Sequence, residues 1–92
     1  AGRRVSVTVI RDQPLLRTLR HVPREQLLQV LATIDTVIAD APNLPAADDR
    51  VVAETLPALR YARAVPATAW SVVYSWSIAS QLLILRTVNR LP

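Results

Sequence analysis

The stretch from Ala64 to Leu85, AVPATAWSVVYSWSIASQLLIL, runs for 22 residues without a charge and is bounded by Arg63 and Arg86. Its reading decides the fold. As one helix rising ~1.5 Å per residue it would just cross a ~30 Å hydrocarbon core. As strands it would form the middle of a sheet. Periodicity separates the two, because Trp70, Val72, Tyr74, Trp76 and Ile78 occupy every second position while Ser71, Ser75 and Ser77 fall between them. On a helix, residues two apart are turned by about 200°, so neither set would own a face; on a strand the two sets separate completely. Ala79, Ser80 and Gln81 then break the pattern before Leu82–Leu85, and Pro66, Ala67 and Thr68 break it on the other side. The run therefore reads as an antiparallel meander, with the membrane span as the lesser reading.

Outward from this run, Val5, Val7 and Val9 alternate as a first strand. Asp12 can cap a short helix that tolerates Pro14 in its first turn and carries Leu15, Leu16 and Leu19 on its apolar side. Pro23 disfavours helical geometry in the residue before it and suits the first turn of the next helix. In that second helix Leu27, Leu31, Ile34, Ile38 and Ala41 form a stripe, supported by Val30 and Val37, opposite Arg24, Glu25, Gln29, Thr33 and Thr36. Pro42 stops it. Residues 42–55 read as a mobile connector, and Leu56 starts the sheet.

The expected fold class is α+β: a β-α-α-β-β-β two-layer sandwich, with the two helices packed on one face of an antiparallel sheet, in a single domain spanning residues 1–92. The even-numbered aromatics of the central strand should meet the helices, leaving Ser71, Val73, Ser75 and Ser77 on the open face. A turn on Ala79 and Ser80 pairs Ile78 with Gln81, which sets Val73 opposite Arg86 and Ser71 opposite Val88. In that register Arg86 and Arg90 share the open face with the serines.

Of the 92 residues, 11 are arginine and none is lysine. Residues 1–54 contain all seven carboxylates and seven of the arginines, so the formal net charge of +4 belongs to Arg60, Arg63, Arg86 and Arg90 in the acid-free remainder. Guanidinium groups without competing carboxylates suit phosphate or an acidic polypeptide. With no cysteine and only His21 as histidine, a disulfide or a zinc constellation is not expected, and neither a metal nor another cofactor is called for. Val5–Ile10 is too short and too alternating for the apolar segment of a signal peptide, so a cytoplasmic location is expected.

The order of elements, the segment Leu56-Pro-Ala-Leu-Arg-Tyr-Ala-Arg63 and the strand Trp70-Ser-Val-Val-Tyr74 resemble the RelE/ParE superfamily of toxins from bacterial type II toxin–antitoxin systems. The resemblance continues through Leu82–Arg90, where Val88, Asn89 and Arg90 occupy the place of a basic cassette. It implies a toxin that either cleaves messenger RNA on the ribosome and so inhibits translation, or inhibits DNA gyrase without being an enzyme. A degenerate toxin fold kept as an interaction module is the third reading, and the messenger-cleaving one is taken forward. It further implies Arg90 and Arg86 as catalytic candidates, Arg60, Arg63 and Ser71 as RNA contacts, and a cognate antitoxin meeting Leu15, Leu19, Leu28 and Leu44. Ser71 stands where messenger-cleaving members carry an arginine, and no aromatic follows Arg90 where they carry a tyrosine. Cleavage by a ribose 2′-hydroxyl needs a proton acceptor, a proton donor and positive charge on the phosphoryl oxygens. The C-terminal sheet offers arginines, tyrosines and serines, so charge stabilisation is its expected contribution.

Overall fold

The computed structural model describes residues 6–53 and 59–90. Its elements run β1 (Thr8–Arg11), α1 (Gln13–Leu19), α2 (Arg24–Asp40), β2 (Arg50–Ala53), β3 (Arg60–Ala64), β4 (Trp70–Ser77) and β5 (Leu82–Arg90). The five strands form one sheet in the order β1-β5-β4-β3-β2. Both helices pack on one face of it, as expected for the α+β sandwich. Two features go beyond the sequence reading. β1 pairs with β5 in parallel, and the last part of the supposed connector, residues 50–53, is a strand antiparallel to β3. Four residues with adjacent valines show no period, and strand direction leaves no trace in periodicity. The proposed roles of Val5 and Leu56 at strand starts lie outside the described residues. Among the described residues, no helix is long and apolar enough to cross a membrane.

The uncharged run resolves into β4, the β4–β5 hairpin and the first half of β5. Trp70, Val72, Tyr74 and Trp76 are buried on the helix side with Leu83, Leu85 and Val88, and they meet Leu15, Val22, Val30, Ile34 and Val37 from the helices. Ile78, expected to continue this row, sits in the hairpin turn and is 72% exposed. The turn before β4 is closed by Thr68, whose hydroxyl donates to the Val65 carbonyl and accepts the Trp70 amide, with Ala67 in the left-handed region at φ 61°.

Asp12 caps α1 by accepting the Gln13 amide at 3.0 Å. α1 also takes over the edge of β5 where β1 ends: the Asp12 amide donates to the Leu85 carbonyl, and the Thr18 hydroxyl accepts the Val88 amide at 3.0 Å. Every buried amide needs such a partner. In α2 the buried face is Val30, Thr33, Ile34 and Val37. Leu31, assigned to the apolar stripe, is 40% exposed, whereas Thr33, assigned to the polar side, is buried with its hydroxyl donating to the Gln29 carbonyl. The reason is a polar line spaced by seven residues along one side of the helix. Gln26 accepts the Trp70 indole N–H at 2.8 Å, Thr33 is buried in the middle, and Asp40 accepts from Arg63 at 2.6 Å. Amphipathic counting registers only the apolar residues and so misplaces the face.

Arg63, on the helix face of β3, anchors this side of the molecule. Its Nε and Nη2 grip both oxygens of Asp49 at 2.7 and 2.9 Å, and its Nη1 reaches Asp40. The Asp49 side chain is fully buried, and it also accepts from the Tyr74 hydroxyl and the Ala46 amide. Burial alone would raise the Asp49 pKa, but the Arg63 and Tyr74 hydrogen bonds, with the Ala46 amide, hold it below the ordinary 3.8. Burial and the bond to Asp49 push the Tyr74 hydroxyl far above its usual range, so it remains a donor. Hydrogen bonding to Asp49 strengthens the hold of Arg63 on its proton, against the effect of burial. Asp40 lies at the negative end of the α2 dipole, an unfavourable place that the same guanidinium offsets.

Arg63→Ala leaves a buried carboxylate without its cation and should destabilise the fold by about 3–5 kcal/mol in a denaturant titration. The pH dependence has a definite sign. A depressed folded-state pKa means that the contribution of Asp49 is complete above the unfolded value near 3.8 and is lost as pH falls through the folded value. The stability gap between the parent and Asp49→Asn should therefore be constant from neutral pH to about 5 and narrow below about 4.

Candidate functional site

The face of the sheet away from the helices has a floor of small side chains and a rim of arginines. Register places Arg60, Ala62 and Ala64 of β3 opposite Ser75, Val73 and Ser71 of β4, and Arg50 of β2 opposite Ala62. Ala62, Ser71, Val73 and Ser75 are each less than 10% exposed although no helix covers them. They are short residues sunk between longer neighbours on adjacent strands. A groove of about 340 Å³ bordered by Arg50, Ala62, Thr68 and Ser71 opens at one end of this face. A second, of about 290 Å³, lies beside Arg86 between Ser75, Ser77, Leu82 and Ile84.

The placement of the arginines turns on a bulge. From Ser77↔Leu82 to Tyr74↔Leu85 the β4–β5 pairing follows the register expected from the sequence, and then it shifts by one, to Val73↔Thr87, Val72↔Val88 and Trp70↔Arg90. Arg86 is the extra residue. It stays on the open face, where its Nε donates to the Ser75 hydroxyl at 3.2 Å and its Nη1 lies 3.4 Å from Asp12. Arg90, expected beside it, is carried to the helix side and stacks its guanidinium 4.9 Å from the Trp70 ring centre. A bulge adds one residue to one strand and thereby reverses the facing of everything beyond it.

The other candidates distribute as follows. Arg60 is exposed on the open face, and Arg63, of opposite parity, is held on the helix face by Asp40 and Asp49. Ser71 lies on the open-face floor opposite Asn89. The structure thus brings together Arg60, Ser75 and Arg86, with Ser71 and Arg50 further along, and separates Arg63 and Arg90 from them. Ser75 was not singled out in the sequence, where it was one serine among three in an alternating strand. Its pairing with both Arg60 and, diagonally, Arg86 depends on a register that only the fold supplies. The supposed antitoxin contacts divide similarly. Leu15 is fully buried, Leu44 is 9% exposed and Leu19 is half-buried, whereas Leu28 is 78% exposed. Leu15 and Leu44 are core residues: the face of α1 that carries Leu15 is turned to the sheet, and the loop after α2 tucks Leu44 into the same cluster.

The sheet is also less free of acid than its own segment suggests. Asp12, Asp40 and Asp49, all from the N-terminal half, return to Arg86 and Arg63. Among the described residues, no group of three or more His, Cys, Asp or Glu side chains is placed to hold a metal ion. Tyr74, whose hydroxyl is committed to Asp49 beneath the sheet, does not face the serine and arginine floor. What the open face can do chemically is hold anionic oxygens, with two guanidinium groups across Ser75 and hydroxyl donors between them.

No protein-family model matches the sequence, and no curated protein matches it. Solved structures do. The isolated RelE toxin of E. coli superposes with a TM-score of 0.66 at 14% identity, over 95% of this chain and 86% of that one. The archaeal RelE–RelB complex from Pyrococcus horikoshii gives 0.66 at 15% identity over 94% and 96%. The RelBE2 toxin–antitoxin complex from Mycobacterium tuberculosis gives 0.62 at 15% over 95% and 100%. At such identities the shared property is the arrangement of the chain: two helices on one face of a sheet, traced from end to end, are the fold of the RelE toxins.

Proposed function

We propose that this chain is the toxin of a type II toxin–antitoxin pair and that, as a RelE-like protein, it acts on messenger RNA at the ribosome. The observation that carries the reading is the coverage of the fold, nearly complete on both sides of each comparison. The open face supports RNA as the target, since Arg60 of β3 and Arg86 of β5 flank Ser75 of the intervening β4, two strand spacings or ~10 Å apart at the backbone, a span that two long side chains can close onto one phosphodiester backbone. In this reading the contribution of the chain to cleavage is charge and position. Arg60 and Arg86 neutralise the phosphate attacked by the 2′-hydroxyl and Ser75 orients it, while Ser71, ~13 Å along β4, meets a more distant part of the RNA backbone. The RNA is presented in a strained form by the ribosome, and the catalytic role first given to Arg90 passes to Arg60. Gyrase inhibition is the outcome to be excluded by experiment.

Inducing the chain in cells should produce cuts within translated messages before any change in DNA supercoiling; relaxed or broken DNA with intact messages would overturn the RNA reading. On single-stranded RNA, Arg60→Ala and Arg86→Ala should each reduce the slope of log affinity against log salt by about 0.7 and abolish growth arrest. Arg90→Ala should leave that slope nearly unchanged.

A cognate antitoxin follows from the same reading, because several of the matching folds are toxins solved with their RelB-type partners. Neutralisation in the compartment of translation implies a cytoplasmic pair. Of the four candidate leucines Leu28 is the most exposed, at 78%, which supports it as a contact for such a partner. Leu28→Glu should weaken antitoxin binding while changing the stability of the free chain by no more than about 0.5 kcal/mol. Leu15→Ala should instead cost about 2–5 kcal/mol of stability, which marks it as a folding variant. A Leu28→Glu chain that still binds the antitoxin with parental affinity would remove Leu28 from the interface.

A further inference from the structure

Asp12 uses its groups for three separate purposes. Its amide donates to Leu85 and ties the start of α1 to β5. Its Oδ1 caps α1 at Gln13, and its Oδ2 lies 3.4 Å from the Arg86 guanidinium. The first two purposes need no charge, since asparagine and serine cap helices as well as aspartate does. The third is a loose pair. Charge-assisted N–H···O bonds are typically 2.7–2.9 Å, both side chains are partly exposed, at 26% and 37%, and a pair of that kind contributes little to stability. Arg86 does not depend on it for position, because Nε is independently held by the Ser75 hydroxyl. A carboxylate that neither anchors the arginine nor is required by the cap is left with its charge, which interacts weakly and favourably with the N-terminus of α1 and competes with any phosphate for the Arg86 guanidinium.

We propose that Asp12 is the built-in counterion of the open-face anion site, a positioning residue that occupies Arg86 in the free protein and is displaced by a substrate phosphate. The inference rests on the reading of Arg86 as a phosphate contact. In the free chain the carboxylate holds Nη1 toward the β1 edge of the sheet. When a phosphate arrives, Arg86 pivots about its Ser75 bond, exchanges one anion for another and leaves Asp12 to the helix cap. The arrangement reduces the affinity of the face for any single phosphate. It thereby favours ligands that engage Arg60 and Arg86 together, such as a continuous nucleic-acid backbone, over isolated anions.

The test uses the full chain, a fluorescently labelled ten-nucleotide oligouridylate and, separately, inorganic phosphate. Asp12→Asn keeps the cap and removes the charge, so it should bind the oligonucleotide roughly two- to fivefold more tightly at low salt, with an unchanged thermal midpoint. The gain should be proportionally at least as large for inorganic phosphate. In an Arg86→Ala background the same substitution should gain markedly less, as expected for coupled sites. Asp12→Ser, which also retains a capping oxygen, should reproduce the Asn result if the Asn variant folds poorly. Parental or weaker binding by both neutral variants, with Arg86→Ala still weakening binding, would overturn the counterion role and leave the RNA site standing. If Arg86→Ala itself binds like the parent, the phosphate reading of the site falls, and the inference falls with it.

Discussion

The buried carboxylate of Asp49 is the point on which the rest of this small protein is assembled. It is fully enclosed, and its oxygens are shared by the two nitrogens of Arg63, the Tyr74 hydroxyl and the Ala46 amide. Through those contacts one side chain joins the loop after α2 to the β3 and β4 strands, and Arg63 extends the connection to the end of α2 at Asp40. A buried ion pair of this kind is weak evidence for net stability, because desolvation consumes much of its Coulomb energy. Its strength is in specificity. Misplacing any of the connected segments would strand a charge in the core, so the network selects one arrangement of loop, helix and strands.

That commitment also divides the arginines into two groups with different roles. Arg63 is used up on the helix side, and Arg90 is stacked there against Trp70, whose indole is in turn tied to Gln26 of α2. Arg60 and Arg86 remain on the opposite face, beside Ser75. One sheet thus carries its packing residues on one side and two guanidinium groups beside Ser75 on the other. The β-bulge at Arg86 makes the division, because without the one-residue shift Arg90 would share the face of Arg86 and not that of Trp70. The clustering of a proposed phosphate site at a bulge agrees with the general tendency of such irregularities to re-aim side chains.

Charge illustrates how far sequence position can mislead. Divided along the chain, the C-terminal segment holds all of the net positive charge and no acid, which suggests a sheet of four available cations. In space, Asp40 and Asp49 cancel Arg63, and Asp12 partly occupies Arg86. The acids reach these arginines because β1 pairs with the last strand and the segment after α2 folds back along β3. The guanidinium groups of the open face are therefore not the four of the C-terminal segment: Arg60 and Arg86 flank Ser75, and Arg50 is added from β2.

Local pattern by itself determined the elements with strong periodicity or specific end chemistry. The alternation from Trp70 to Trp76 made β4, Asp12 and Pro14 began α1, Pro23 separated the helices, and the polar breaks at 66–68 and 79–81 became turns. These depend on neighbours a few residues apart, and a linear reading contains them. Only the tertiary structure decided the pairing of β1 with β5, the recruitment of residues 50–53 as an edge strand, the burial of Thr33 and the face of Arg90. Each of these depends on partners far along the chain. A strand's direction, an edge partner, a seven-residue polar line with sheet contacts at its two ends, and a single inserted residue in a ladder leave no period to count. For the candidate site, the sequence named Arg60, Arg86 and Ser71, and three-dimensional register added Ser75 and Asp12, because hydrogen-bond partners across a sheet are set by the ladder rather than by proximity in the chain.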